Sequence, residues 1–282
     1  MEYGLFTCGY QRTKLSKAFA DAKAFGYSYV ELWGGRPHAY ASDLVKEDSR
    51  QLREIRGCME QYEIPVLIYT PEHNAYPYNY MQGDGQQWEE SIAYLKTAMD
   101  AAALLGAPYM LISVGHGGDI PYAKRWERLK ESLVILAGEA QKRQITLLLE
   151  TLTKYESNTC ITLSELQRIL TEVNSDSLRG MCDLAAPFTC GENPADYMKL
   201  PGGGCYHLHL VDNDKKSDTH LIPGEGCMPL QEILTGFERA GYNGRATIEL
   251  VTNYMDNPSA AFERAIQNMS NIFPNDVRKP ER

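Results

Sequence analysis

Residues 205–226 read CYHLHLVDNDKKSDTHLIPGEG, and this stretch largely decides the fold that the sequence predicts. It begins with an apolar strand on which two alternate residues, His207 and His209, point to the same face. Polar residues follow, and the sequence PGEG at 223–226 predicts a tight loop. A buried strand that ends in His and Asp and continues into a long polar loop is typical of one wall of a barrel active site.

Acidic side chains end three other predicted strands. Glu150 ends the apolar run ITLLLE, Asp183 ends GMCD, and Glu249 lies in ATIEL. Together with His209 they are spaced by roughly one strand–helix unit each. Because the carboxyl ends of the strands of a βα barrel face one mouth, the spacing predicts that these side chains converge.

Apolar runs alternate with stretches of helical period along the whole chain, which predicts eight strand–helix pairs. Predicted helices include one polar helix from about Asp43 to Tyr62 and a short one near Pro194 to Lys199. A doubly wound open sheet shows the same alternation, but no GxGxxG follows the first strand. We therefore predict an α/β fold, a (β/α)₈ barrel, with strands at 3–8, 29–33, 65–69, 109–114, 145–150, 179–183, 206–211 and 246–251.

Composition limits the classes of protein that fit. A chain of 282 residues with 43% hydrophobic residues can bury one large core, so we expect a single barrel domain over 1–282 with a loosely ordered tail at 274–282. The net charge of -9 argues against a nucleic-acid partner. Seven cysteines without a CxxC pair indicate a reducing compartment. With neither a signal peptide nor a membrane-length apolar run, the expected location is the cytoplasm, without a membrane partner.

The four converging residues predict a metal site. Three carboxylates and one imidazole suit a divalent ion such as Mn²⁺, Mg²⁺ or Co²⁺ with positions left open for substrate oxygens. The lack of thiolates argues against a closed structural zinc site. Taken singly, each of the four residues is best interpreted as an ordinary polar residue at the barrel rim. Their occurrence in four consecutive strand–helix units favours a metal site. Two glutamates beside a metal suggest proton transfer on both faces of one carbon, but the same ligands would serve a metal-bound water that attacks an ester.

Long strings spread over nearly the whole chain link it to a known family. The strings are LWGGRPHAY, YTPEHNAYPYN, LLLETLTKYESN, DLAAPF, HLHLVDND, SDTHLIPGEG and IELVTNYM. In these strings the chain resembles the xylose-isomerase-like superfamily of sugar isomerases and epimerases, and within it the branch of 3-epimerases that act on fructoselysine.

The resemblance implies a xylose-isomerase-like (β/α)₈ TIM barrel that interconverts fructoselysine and psicoselysine, by deprotonation and reprotonation at C3 through an enediolate. The implied partner is a small sugar amine. The resemblance to the family also suggests that the chain forms a homo-oligomer. One alternative is a 3-epimerase of psicose- or tagatose-type ketohexoses, or a related sugar isomerase. A more distant alternative is a metallohydrolase similar to endonuclease IV, whose extra zinc ligands would correspond to Asp218 and His220.

The resemblance also implies roles for single residues. The implied metal is Mn²⁺, with Mg²⁺, Co²⁺, Ni²⁺ or Zn²⁺ as alternatives. It would be held by Glu150, Asp183, His209 and Glu249. The two glutamates of this set would be the catalytic proton-transfer residues. Glu156 matches a substrate-hydroxyl contact of ketohexose 3-epimerases.

Two positions depart from those enzymes. Ala186 replaces their His, and Lys215 replaces their Arg, so we expect the far end of the sugar to be bound differently. His220 is predicted to supply the missing contact, and Lys215 remains a candidate for substrate binding.

Other residues near strand ends are open to more than one interpretation. Trp33 is predicted to stack on the sugar. His38 and His116 lie in loops after strands, where a substrate contact and a structural hydrogen bond are equally open. Glu31 is either a buried ion-pair residue or catalytic, whereas His207 is expected to pack inside the barrel.

Overall fold

Parallel strands form a ring in the computed structural model, which describes residues 1–83 and 85–274. The sheet has nine strand segments in the order β6-β5-β4-β3-β2-β1-β9-β8-β7, and its pairs are all parallel. The segments are β1 Glu2–Phe6, β2 Tyr29–Gly34, β3 Val66–Pro71, β4 Tyr109–Ser113, β5 Thr146–Glu150, β6 Leu178–Gly180, β7 Cys182–Asp183, β8 Leu208–Leu210 and β9 Arg245–Ile248.

The ring closes through the predicted sixth strand, which is divided at Met181. The Met181 amide donates to the Leu149 carbonyl at 3.1 Å, on the β5 side. The next amide, of Cys182, donates to the His207 carbonyl at 3.0 Å, on the β8 side. Since β6 and β7 are thus two parts of one barrel strand, the eight-stranded barrel that the sequence predicts is confirmed.

Helices follow most strands and cover the outside of the ring. Several end as predicted at a glycine in the left-handed region, for example Gly26 with φ 84° and Gly106 with φ 73°. The helices are α1 Leu15–Phe25, α2 Ala41–Leu44, α3 Arg50–Tyr62, α4 Gly85–Leu105, α5 Tyr122–Lys142, α6 Leu163–Val173, α7 Ala185–Cys190, α8 Leu230–Arg239 and α9 Pro258–Ile272.

Two predicted helices differ from the structure, and one helix was not predicted. The single helix from Asp43 to Tyr62 is wrong, because the Ser49 hydroxyl accepts from the Leu52 amide and starts α3 as a separate helix. Residues Pro194–Lys199 form a 3₁₀ helix rather than an α-helix. The sequence reading missed α7, which is too short for a helical period to show.

Two kinds of side chain share the barrel interior. A small apolar cluster of Ile68, Leu111, Leu148 and Met181 fills the side formed by β3 to β6. The other side is polar although buried, and its residues come from β2, from β9, from β8 and from the position just before β8. They are Tyr29, Glu31, His207, His209 and Thr247. The polar side lies below the strand ends that were predicted to converge.

This architecture does not test two of the sequence-based expectations. The assignment of 1–282 to one domain stays a prediction, and the predicted loose tail lies, apart from Pro274, outside the described residues. Among the described residues, no helix combines the length and apolar character that crossing a membrane requires.

Candidate active site

The four predicted metal ligands meet at the mouth of the barrel. Glu150 ends β5, Asp183 ends β7, His209 lies in β8, and Glu249 directly follows β9. Asp183 and His209 are register partners, which places these two side by side. All four line one cavity of about 170 Å³.

His209 is at the centre of this group. Its Nδ1 atom lies 3.0 Å from Glu150 Oε1 and 2.8 Å from Glu249 Oε2. Ligand atoms of these three residues and of Asp183 all lie within 4.8 Å of one another. Yet His209 Nδ1 and Glu249 Oε2 are buried without a hydrogen-bond partner among the described residues. Atoms with free lone pairs that face one point without a hydrogen-bond partner fit the ligands of a shared divalent ion.

The opposite ring nitrogen of His209 is bound by Glu31. His209 Nε2 lies 3.1 Å from each carboxylate oxygen of Glu31, which is fully buried. Thr70 Oγ1 also donates to Glu31, at 2.7 Å, and His207 Nε2 lies 3.6 Å away. The sequence left open whether Glu31 forms a buried ion pair, and the structure contains such a pair between Glu31 and His209.

Burial and charge shift the pKa values of the cluster in different directions. Burial raises the pKa of Asp183 to about 7, against the lowering effect of His220. Burial also raises the pKa of Glu150. Burial acts in the same sense on Glu249, but His209 and His220 outweigh it and hold its pKa below the usual value. Protons and cations therefore compete for this site.

Three predicted substrate-binding residues line the same cavity: Trp33, Glu156 and His220. His220 Nε2 lies 3.4 Å from Asp183 Oδ2, and its Nδ1 lies 3.6 Å from Glu249 Oε2. Glu156 accepts from Thr153 N at 3.2 Å, and burial with nearby acidic groups raises its pKa to about 8. Trp33 Nε1 donates to Glu72 Oε2 at 2.7 Å.

The structure does not bring His38, His116 and Lys215 to the cavity. His38 Nε2 donates to the Thr13 carbonyl at 2.9 Å, so its ring is held outside the barrel mouth. His116 is exposed, and its Nδ1 accepts from the Gly118 amide. The Lys215 ammonium lies over the Phe188 ring, 5.1 Å from its centroid. Because each has a local partner, the geometry does not support their predicted substrate contacts.

Several cavity residues were not predicted as site residues. Most of them follow the ends of β1 and β3. Their position just beyond a strand could have indicated a place in the site. Their residue types, however, are common in loops and do not by themselves indicate a function. They are Phe6, Cys8, Gln11, Glu72 and Asn74.

The cavity is strongly acidic. Five carboxylate residues and two histidines line it, whereas no lysine or arginine does so among the residues that the structure describes. Because low-dielectric walls focus the field of like charges, such a cavity favours cationic ligands.

The loop that presents His220 is closed at its base by Asp212. The backbones of Asp212 and Leu221 bond to each other in both directions, at 2.8 and 2.7 Å. The buried Asp212 carboxylate accepts from the amides of Asn213, Gly224 and Met228 at 2.8 to 3.0 Å. A Cβ atom at Gly226 would lie 2.2 Å from Asp212 Oδ1, which explains the second glycine of the PGEG sequence.

Comparisons with known proteins agree with this architecture. The profile of the xylose isomerase-like TIM barrel family matches residues 19–272. The fructoselysine 3-epimerase of Shigella flexneri is 41% identical over 99% of this chain and 100% of its own. That of Escherichia coli O157:H7 is 42% identical over 98% of this chain and 100% of its own.

A solved structure extends the likeness in fold. The D-psicose 3-epimerase of Clostridium cellulolyticum H10, solved with D-tagatose, superposes with a TM-score of 0.78 at 17% identity. The match covers 96% of this chain and 98% of that one. The chain therefore belongs to the xylose isomerase-like TIM barrel family and, within it, to the family of the fructoselysine 3-epimerases, which are isomerases that act on carbohydrates.

Proposed function

We propose that this protein is a metal-dependent 3-epimerase that interconverts fructoselysine and psicoselysine. The observation that supports this most strongly is the convergence of Glu150, Asp183, His209 and Glu249 on one point of an acidic cavity. The full-length relationship to two fructoselysine 3-epimerases supports the choice of substrate.

The proposed reaction divides the chemistry between an ion and two glutamates. A divalent ion held by the four residues would polarise the substrate carbonyl and stabilise the negative charge of the enediolate. One of Glu150 and Glu249 takes the proton from C3, and the other delivers a proton to the opposite face of C3. The C–H bond that breaks is replaced by one of inverted configuration, so no other reactant is consumed.

The charge of the cavity favours a sugar amine over a free ketose. Fructoselysine has two amines and one carboxylate, hence a net positive charge at neutral pH. The cavity offers carboxylates such as that of Glu72 and, within the described part of the chain, no cationic Lys or Arg side chain. A neutral ketohexose would gain nothing from this field.

The first experiment follows deuterium at C3 by NMR. Fructoselysine and fructose are offered side by side in D₂O with Mn²⁺, which is removed before spectra are taken. We expect deuterium to enter fructoselysine while a second epimer accumulates, since the protonated glutamate exchanges with solvent between turnovers. Deuterium in fructose alone would instead identify a ketohexose 3-epimerase.

Variants test the proposed proton-transfer residues. Glu150→Gln and Glu249→Gln should each lower turnover by at least about 10²- to 10⁴-fold, because an amide neither takes nor gives the proton. Glu172→Gln is the control, since that side chain pairs with Arg168 and Lys130 on the outer helices. Turnover at the wild-type rate in both site variants would refute the assigned roles. If neither substrate exchanges in a protein shown to bind metal, the hydrolase alternative replaces this proposal.

A further inference from the structure

We infer that Glu31 is a positioning residue for the metal site, which orients His209 so that its Nδ1 faces the ion. This inference rests on the proposed function in so far as that function requires a metal. It concerns a residue on β2, on the far side of His209 from the cavity.

The hydrogen bonds fix both the donor and the direction. A carboxylate only accepts, so the bond from His209 Nε2 to the Glu31 oxygens, 3.1 Å to each, places a proton on Nε2. In a neutral ring the lone pair is then on Nδ1. That atom lies between Glu150 and Glu249 at 3.0 and 2.8 Å. The ring is thereby turned and protonated as a metal ligand has to be.

Glu31 is itself held in place from two sides. Thr70 Oγ1 donates to Glu31 Oε1 at 2.7 Å. The register between β2 and β3 shifts at this point, from Val30 opposite Val66 to Glu31 opposite Ile68. Such an irregularity redirects side chains beside a site, and here it brings β3 and Thr70 into line with Glu31.

At this buried position an ionised carboxylate without a strong partner would cost free energy of folding. Glu31 is fully buried, and in the described part of the chain its ion-pair partners are only His207 and His209. A buried charge without a strong partner would destabilise the barrel, so the Glu31–His209 pair needs both members. Carboxylate–histidine–metal arrangements typically raise metal affinity by about 10- to 100-fold over variants without the carboxylate.

A second ion between Glu31, His207 and His209 is the competing interpretation, since their ligand atoms also lie within 4.8 Å of one another. Hydrogen bonds already explain these short distances without a second ion. His207 Nε2 lies 2.8 Å from Thr247 Oγ1, and both Glu31 oxygens are occupied by His209 and Thr70. We therefore expect one ion per chain, and two ions per chain by elemental analysis would overturn the inference.

The decisive measurement is the affinity for Mn²⁺, read from free Mn²⁺ by EPR. Glu31→Gln should raise the Kd by about 10- to 100-fold. Thr70→Val, which retains the carboxylate, should raise it by a smaller factor and serves if the first variant does not fold. Tyr29→Phe is the matched control, because its buried hydroxyl contacts Thr247 at 3.2 Å and not His209. It should leave the Kd unchanged.

A spectroscopic measurement separates orientation from a loss of stability. In ¹⁵N-histidine protein loaded with Zn²⁺, the His209 Nε2 proton should appear as a downfield, slowly exchanging signal, which Glu31→Gln weakens or removes. An equal Kd in Glu31→Gln and wild type, or an equal loss in Tyr29→Phe, would refute the role of Glu31. A wild-type protein that binds no Mn²⁺ would refute the proposed function instead, and the hydrogen-bonded Nε2 proton of the metal-free protein would still test the orientation.

Discussion

At the scale of single residues, position along the strands was enough to predict which acidic side chains lie close together. Glu150, Asp183 and Glu249 were identifiable because each ends an apolar run, and parallel strands bring such ends together. Glu31 could not be assigned in this way. Its partners come from β3 and β8, and no local pattern shows which buried side chain of a distant strand will face it.

The pKa of Asp183 predicts how metal affinity depends on pH. Burial raises that pKa from 3.8 to about 7 in the metal-free protein, so below pH 7 a proton has to leave before the carboxylate binds an ion. The contribution of this group to the stability of the metal-free fold is full below its unfolded pKa and is lost as the pH rises through 7.

We therefore expect Mn²⁺ to bind more weakly by up to about tenfold per pH unit below 7, with proton release on binding. The gain in Tm on adding Mn²⁺ should accordingly be larger at pH 8 than at pH 5.5. Calorimetric titration in buffers of different ionisation enthalpy counts the protons. A Kd that is constant from pH 5.5 to 8 would contradict the assignment of Asp183 as a ligand.

At the scale of elements, predictions failed where short-range hydrogen bonds override periodicity. Ser49 divides the predicted helix over 43–62, and α7 starts where Asp183 Oδ1 accepts the Ala185 amide at 2.7 Å. Neither contact alters the apolar spacing that the sequence pattern measures. The strand predicted over 206–211 is reduced to β8, because only Leu208–Leu210 pair with β9, and of these only Leu208 and His209 also pair with β7.

The loop that presents His220 gives a prediction at this scale. Asp212→Asn should destabilise the protein by about 1.5–3 kcal/mol, since the amides of Asn213, Gly224 and Met228, of which the first and last are buried, lose a charged acceptor. Denaturant unfolding measures this loss. Asp214→Asn is the control, because Asp214 accepts from Lys216 and Ser217 near the exposed tip of the same loop. Equal losses in the two variants would show that Asp212 has no special part in closing the loop.

At the scale of the whole molecule, the alternation of strands and helices was sufficient to predict the barrel, because few folds satisfy eight such units. The place where the ring closes was not predictable. The change of partner at Met181 depends on which carbonyls, of Leu149 and His207, lie within reach on either side.

The acidic cavity of a chain with net charge -9 predicts a salt effect on the reaction. Raising the ionic strength from about 0.01 to 0.15 M shortens the screening length from about 30 to 8 Å. We expect kcat/KM for cationic fructoselysine to fall by about two- to tenfold, because the attraction of the cavity is screened. Neutral fructose, if it reacts at all, provides the internal control. Equal salt dependence for both sugars would show that the cavity charge does not select the substrate.

The divided sixth strand leaves the ring sparsely paired between β5 and β8, since β7 has only two residues. Asp183 and His209 lie across this junction and are both among the proposed ligands, so a bound ion would tie its two sides together. Sparsely paired segments open first, and opened segments are where proteases cut. The supply of the ion would then set the lifetime of the enzyme as well as its rate, and protein deprived of metal would be lost to proteolysis.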